Sequence, residues 1–111
     1  MVKKVFYVEK EKFLRSMFEV ALRAKKAEIY TVETLHENFY LIDDLKPDLI
    51  IFDLGQSAED LEMLYGYSSS VVLVATGTPE ARESLDARVK GFIPKPIVAH
   101  NLAERVLSLI D

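Results

Sequence analysis

The sequence predicts an α/β fold: a single doubly wound five-stranded parallel sheet with a shortened third helix, formed by residues 1–111 as one domain. Short apolar runs rich in β-branched and aromatic residues alternate five times with segments of helical period, the sign of βαβ units. The third run, Asp48 to Phe52, is apolar on both faces from Leu49 onward, as a central parallel strand with helices on either side requires. With 111 residues, half of them apolar, the chain can bury one core and has no room for two.

The first strand is Lys4 to Val8. After it, Phe13, Leu14, Met17, Phe18, Ala21 and Leu22 fall on one stripe of a helix ending near Ala24. Strand two, Glu28 to Val32, leads to a helix over Thr34 to Leu45 with Leu35, Phe39 and Ile42 inward. Thr34 is its expected N-cap, Glu37 completes a capping box, and Pro47 stops it. Strand three is followed by a brief helix from Ser57 to Tyr65 and the loop Gly66 to Ser70. Strand four, Val71 to Ala75, breaks at Thr76-Gly77-Thr78-Pro79, where Thr78 and Pro79 suit an N-cap and a first helical position. A fourth helix is expected over Glu80 to Arg88. Strand five is Gly91 to Ile93, ended by Pro94-Lys95-Pro96, and the closing helix carries an apolar stripe of Leu102, Val106, Leu109 and Ile110.

Composition narrows the function. A net charge of -4 repels nucleic acid and anionic membranes on average. No apolar run approaches the ~18 residues of a membrane span. The charged start at Lys3 and Lys4 leads straight into a strand instead of a secretory segment, so a cytoplasmic location is expected. Without cysteine there is no disulfide framework, thiolate nucleophile or Cys-based zinc site. The two histidines, His36 and His100, lie apart on predicted helices and are expected in solvent, so any metal would be held by oxygen. Four glycines form neither a Walker nor a dinucleotide pattern.

In an open parallel sheet, ligands bind beyond the carboxyl ends of the strands, where the strand order reverses. The residues there are Glu9, Lys10 and Glu11 after the first strand, Asp53 after the third, Thr76 after the fourth and Lys95 after the fifth. Taken singly, such an Asp or Thr is usually a turn residue and such a Lys a solvated cation. Together they place an acid, a nucleophile, a hydroxyl and a cation on one sheet edge.

In this order and spacing the chain resembles the response-regulator receiver family along nearly its whole length. The match lies in Pro47-Asp48-Leu49-Ile50-Ile51-Phe52-Asp53-Leu54, in Thr76 ending strand four, in Lys95-Pro96 after strand five, and in Phe92 three positions before the lysine. The resemblance implies the flavodoxin-like receiver topology with strand order 2-1-3-4-5. It also implies a phosphoacceptor signalling module, with self-phosphorylation and autodephosphorylation as the most enzymatic behaviour expected. Asp53 would take the phosphoryl group, Lys95, Thr76 and a magnesium ion would each bind one of its oxygens, and Thr76 and Phe92 would form the switch. The implied partners are a sensor histidine kinase or phosphotransfer protein and a downstream protein docked on the face of the fourth helix, fifth strand and closing helix. Ile97, Val98 and Leu85 suit that face to a homodimer. Because the chain closes at Asp111 after the last helix, a stand-alone receiver is expected, with a phosphorylation-independent pseudo-receiver as the alternative.

Two departures bear on the metal. The family places two adjacent acids after the first strand, and this chain has Glu9-Lys10; a carboxylate lost and an ammonium gained weaken a magnesium site. The implied ligands that remain are Glu9, Asp53 and the backbone carbonyl of Gly55, within a shortened Asp53-Leu54-Gly55-Gln56-Ser57 connection. Either Lys10 reaches inward and pairs with Asp53, standing in for the ion, or it points to solvent. Glu11 is read as an exposed acid at a helix N-terminus.

Overall fold

The computed structural model describes residues 2–111. Its elements are β1 (Lys4–Val8), α1 (Lys12–Arg23), β2 (Glu28–Val32), α2 (Phe39–Leu45), β3 (Leu49–Asp53) and α3 (Ala58–Tyr65). There follow β4 (Val72–Gly77), a 3₁₀ turn (Pro79–Ser84), β5 (Gly91–Pro94), α4 (Leu102–Leu107) and a final 3₁₀ turn (Ser108–Ile110). The strands form one sheet in the order β2-β1-β3-β4-β5, every pairing parallel. This is the expected doubly wound fold. Among the described residues no helix is long and apolar enough to cross a membrane.

Successive side chains of a strand point to opposite faces, so each central strand feeds two cores. Val5, Tyr7, Leu49 and Ile51 pack with Leu14, Phe18 and Leu22 of α1 and Leu102 and Val106 of α4. Phe6, Val8, Ile50 and Phe52 pack on the other face with Leu35, Ile42, Leu64 and Tyr65. Burying a side chain such as Phe18 or Leu22 stabilises the fold by about 1.5–3 kcal/mol. Buried residues at positions 14, 18 and 22 explain why α1 forms. Phe13, expected on the same stripe, is instead 73% exposed. Leu109 likewise falls off the closing stripe, where Ala103 is buried in its place.

Two helices differ from expectation. The second begins at Phe39 and not at Thr34. The Gln56 side chain accepts the Leu35 N–H at 3.0 Å, the Asn38 side chain donates to the Thr34 carbonyl at 2.8 Å, and Glu37 adopts a φ of 65°. These bonds hold residues 34–38 in a turn that seats Leu35 in the core. The fourth helix is reduced to the 3₁₀ turn. Its segment lacks an apolar stripe, and Asp86 accepts the Arg88 N–H at 2.9 Å, a local bond that competes with helix. Arg88 also bonds the Asp86 carboxylate and lies 5.0 Å over the Tyr65 ring, tying the connection to α3. Of the apolar residues expected on this face, Ile97 is buried, Leu85 is half-buried and Val98 is exposed. The third helix matches its prediction, with the Ser57 hydroxyl accepting the Asp60 N–H at 3.1 Å as N-cap.

Candidate phosphoacceptor site

The site lies beyond the carboxyl ends of β1, β3, β4 and β5, at the reversal of strand order between β1 and β3. Asp53 is the last residue of β3 and pairs in register with Thr76 of β4. Glu9 follows β1 and Lys95 follows β5, which carries the lysine to the same edge; the Lys95 N–H donates to the Gly77 carbonyl at 2.8 Å.

Lys95 Nζ stands 2.8 Å from Glu9 Oε1 and 2.9 Å from Asp53 Oδ1. One ammonium thus bridges two carboxylates. The other Asp53 oxygen, Oδ2, accepts the Gly55 N–H at 2.9 Å. A methyl group on Gly55 would lie 2.6 Å from that oxygen, so a larger residue there would push the Asp53 carboxylate aside. Glu9 is only 2% exposed; its Oε2 accepts the Glu11 N–H at 3.0 Å, and the Tyr7 hydroxyl donates to Oε1 at 3.4 Å. Arg15 donates to the carbonyls of Glu9 and Lys10 at 2.7 and 2.8 Å, fixing the β1–α1 loop.

Burial alone would lower the pKa of Lys95, but hydrogen bonds to Glu9 and Asp53, with the charges on both, outweigh it and hold the group above its ordinary value. The Tyr7 hydroxyl is pushed well above an ordinary phenol by burial and by the neighbouring Glu9 charge, and stays neutral. Thr76 is fully buried, and its hydroxyl has no hydrogen-bond partner among the described residues. A buried donor of this kind costs free energy until an acceptor reaches it. Phe92 pairs in register with Ala75, next to Thr76, and lies half-buried with the Arg82 guanidinium 5.3 Å over its ring. Beside Asp53 opens a cleft of about 710 Å³, also lined by Lys10, Glu33, His36, Gln56 and Asp60.

The fold therefore brings Glu9, Asp53, Gly55, Thr76 and Lys95 to one place. Lys10 is exposed; Asp53 takes its ion pair from Lys95, so the inward pairing of Lys10 is not what the chain adopts. Two supporting residues escaped sequence reasoning. Tyr7 lies two positions before Glu9, on the same strand face, and a tyrosine among core residues needs a hydroxyl partner; that signal was available. Arg15 gave no signal, since its short contacts are to the Glu9 and Lys10 carbonyls and its ion pair, at 3.8 Å, is to the distant Glu33.

Magnesium, implied by the fold family, does not fit these donors as they stand. It requires near-ideal octahedral oxygen coordination. Lys95, the Gly55 N–H and the Glu11 N–H already engage all four carboxylate oxygens of Glu9 and Asp53. Gly55 meets the site through its N–H, and among the described residues no three His, Cys, Asp or Glu side chains converge as a metal site.

No family model matches the chain. It is 29% identical over 109 residues to the KDP operon transcriptional regulatory protein KdpE of Escherichia coli K12, with 92% of this chain covered. The chain spans about half (48%) of that curated relative. Among solved structures it is similar to the receiver domain of the hybrid histidine kinase CckA, at 26% identity and a TM-score of 0.75, covering 97% of this chain and 99% of that one. It is also similar to the chemotaxis protein CheY4 of Vibrio cholerae, at 20% identity and a TM-score of 0.82 over the whole of both chains. The chain is thus similar in sequence to KdpE and to the CckA receiver domain, and in fold to that domain and to CheY4.

Proposed function

We propose that residues 1–111 act as one receiver unit of two-component signalling, in which Asp53 accepts a phosphoryl group from a histidine kinase or phosphotransfer protein. The observation that carries this reading is the pairing of Lys95 on Asp53 with the buried, unsatisfied hydroxyl of Thr76 on the next strand. A carboxylate oxygen of Asp53 would form the new bond to phosphorus. The P–N bond of the donor phosphohistidine breaks, and the imidazole leaves with the electron pair. Charge developing on the transferred oxygens is met by the Lys95 ammonium and the Thr76 hydroxyl, groups already in place before reaction. Magnesium affinity is expected to be weak, because Lys10 stands where the family has an acid.

Thr76 and Phe92 form the proposed switch. If the Thr76 hydroxyl turns toward the phosphoryl group, the neighbouring Phe92 can repack and lift Arg82 and the 3₁₀ turn it covers. The downstream partner would dock on the surface of that turn, β5 and α4, where a second copy would meet Val98. The CckA domain belongs to a hybrid histidine kinase, which supports a kinase of that class as the phosphodonor here. A cytoplasmic location is part of this proposal.

One observation favours the phosphorylation-independent reading. The Glu9–Lys95–Asp53 bridge satisfies Asp53 without any phosphoryl group, so the domain could serve as a docking module in this one state. Intact mass after incubation with acetyl phosphate separates the two. The phosphoacceptor reading expects a phosphoryl adduct that is lost in Asp53→Asn; no adduct under any condition leaves the docking module.

A further inference from the structure

We infer that this receiver carries its own resident cation: Glu9 is a positioning residue that anchors Lys95 over Asp53, and the site works without a divalent ion. The part of this inference that concerns phosphoryl transfer rests on Asp53 being the phosphoacceptor. The part that concerns the cation does not.

Glu9 has the features of an anchor. It is 2% exposed, held by the Tyr7 hydroxyl and the Glu11 N–H, and spends its remaining interaction on Lys95 at 2.8 Å. Its position is fixed before any ligand arrives. A metal could take these carboxylates only by displacing Lys95 from both, which breaks a bridge whose Glu9 end is buried, a costly step. Two further oxygens of the β1–α1 loop are engaged too, since Arg15 takes the carbonyls of Glu9 and Lys10. A dication approaching Asp53 would find Lys95 already between Glu9 and Asp53, and Lys10 on the rim of the same cleft.

The consequence for transfer is specific. When one Asp53 oxygen becomes bonded to phosphorus, Lys95 loses part of its hold on Asp53 but keeps its bond to Glu9. Its ammonium then stays beside the phosphoryl oxygens. Glu9 touches neither phosphorus nor donor; it acts through Lys95.

Magnesium chloride is titrated into the full ¹⁵N-labelled chain, with sodium chloride of equal ionic strength as control, and the amides of Glu11, Asp53 and Gly55 are followed. The inference expects no saturable shift at millimolar magnesium, and a saturable shift in Lys10→Asp, which restores the missing oxygen donor and removes a cation. A saturable shift in the wild-type chain overturns the inference, and no gain in Lys10→Asp overturns the part assigned to Lys10. In parallel, phosphoryl incorporation from acetyl phosphate is compared in EDTA and in magnesium. Equal yields are expected in the wild type, with most of the yield lost under both conditions in Glu9→Gln, its fold verified by the amide spectrum. Incorporation that collapses in EDTA, or that survives Glu9→Gln, refutes the assignment. Absence of any adduct throughout removes the phosphoacceptor reading, while the magnesium titration still decides whether the site holds a divalent ion.

Discussion

Replacing Lys95 by methionine removes the ammonium that serves two carboxylates and leaves Glu9, 2% exposed, facing Asp53 with no cation between them. With charge centres about 4 Å apart and an effective dielectric of about 20, each attraction is worth about 4 kcal/mol before desolvation. Desolvation of Glu9 offsets much of this. The cost of breaking a buried pair by removing one partner is about 3–5 kcal/mol. Lys95 is 28% exposed, so water relieves part of the loss and the low end, about 3 kcal/mol, applies. For a domain of this length each kcal/mol moves the melting temperature by about 4 °C, so Lys95→Met should melt about 12 °C below the wild type. Adding Glu9→Gln to that variant removes the stranded charge and should restore about half of the loss, giving a coupling in a double-mutant cycle of about 1.5 kcal/mol plus whatever Glu9→Gln costs alone. Thermal unfolding followed by circular dichroism at neutral pH and low salt measures all four members of the cycle. A melting temperature unchanged by Lys95→Met, or two changes that simply add, would refute the bridge as an energetic unit.

Other perturbations test neighbouring parts of the account. Thr76→Val replaces a buried hydroxyl without a partner by a methyl group of the same shape; chemical denaturation should show it neutral or up to about 1 kcal/mol more stable, while adduct yield from acetyl phosphate falls. Gly55→Ala pushes a methyl group to 2.6 Å from Asp53 Oδ2, so the Gly55 N–H bond should break, with the Asp53 amide shifting and the rest of the spectrum unchanged. In alkali, the stabilisation from Lys95 is complete below its ordinary value of 10.5 and is lost as pH rises through its raised folded value. Melting curves above pH 10.5 should therefore fall more steeply for the wild type than for Lys95→Met. In acid, hydrogen bonds from the Arg88 side chain and backbone hold Asp86 down to about 2. Its contribution is present above 3.8 and lost as pH falls through about 2, a step that Arg88→Ala should shrink.

The sheet was legible because its central strands β1, β3 and β4 are buried on both faces and read as apolar runs; Leu49 to Phe52 admits little else. The site edge was legible for a topological reason: in a parallel sheet the residue after each strand must arrive at the same edge, so Asp53, Thr76 and Lys95 meet whatever the helices do. The rest depended on contacts distant in sequence. That Lys95 would choose Glu9 as well as Asp53 is a matter of which side chains reach one another across the sheet. Lys10, one residue from Glu9, could not be assigned a direction from its position. Thr34 and Glu37 form a capping box on paper, yet Gln56, more than twenty residues on, claims the Leu35 N–H and turns the segment instead. The fourth helix failed where Asp86 and Arg88 bond each other and their own backbone, a competition that propensity alone does not weigh.

The claim that Asp53 is the phosphoacceptor is tested most directly by trapping the acyl phosphate. The chain is treated with acetyl phosphate, reduced with borohydride and mapped by peptide mass spectrometry. An aspartyl phosphate is converted to homoserine, and the account predicts that conversion at position 53 and nowhere else. A peptide spanning Leu49 to Gln56 that keeps an unaltered aspartate at 53 after full treatment would contradict it and leave the lysine-bridged docking module as the function of this chain.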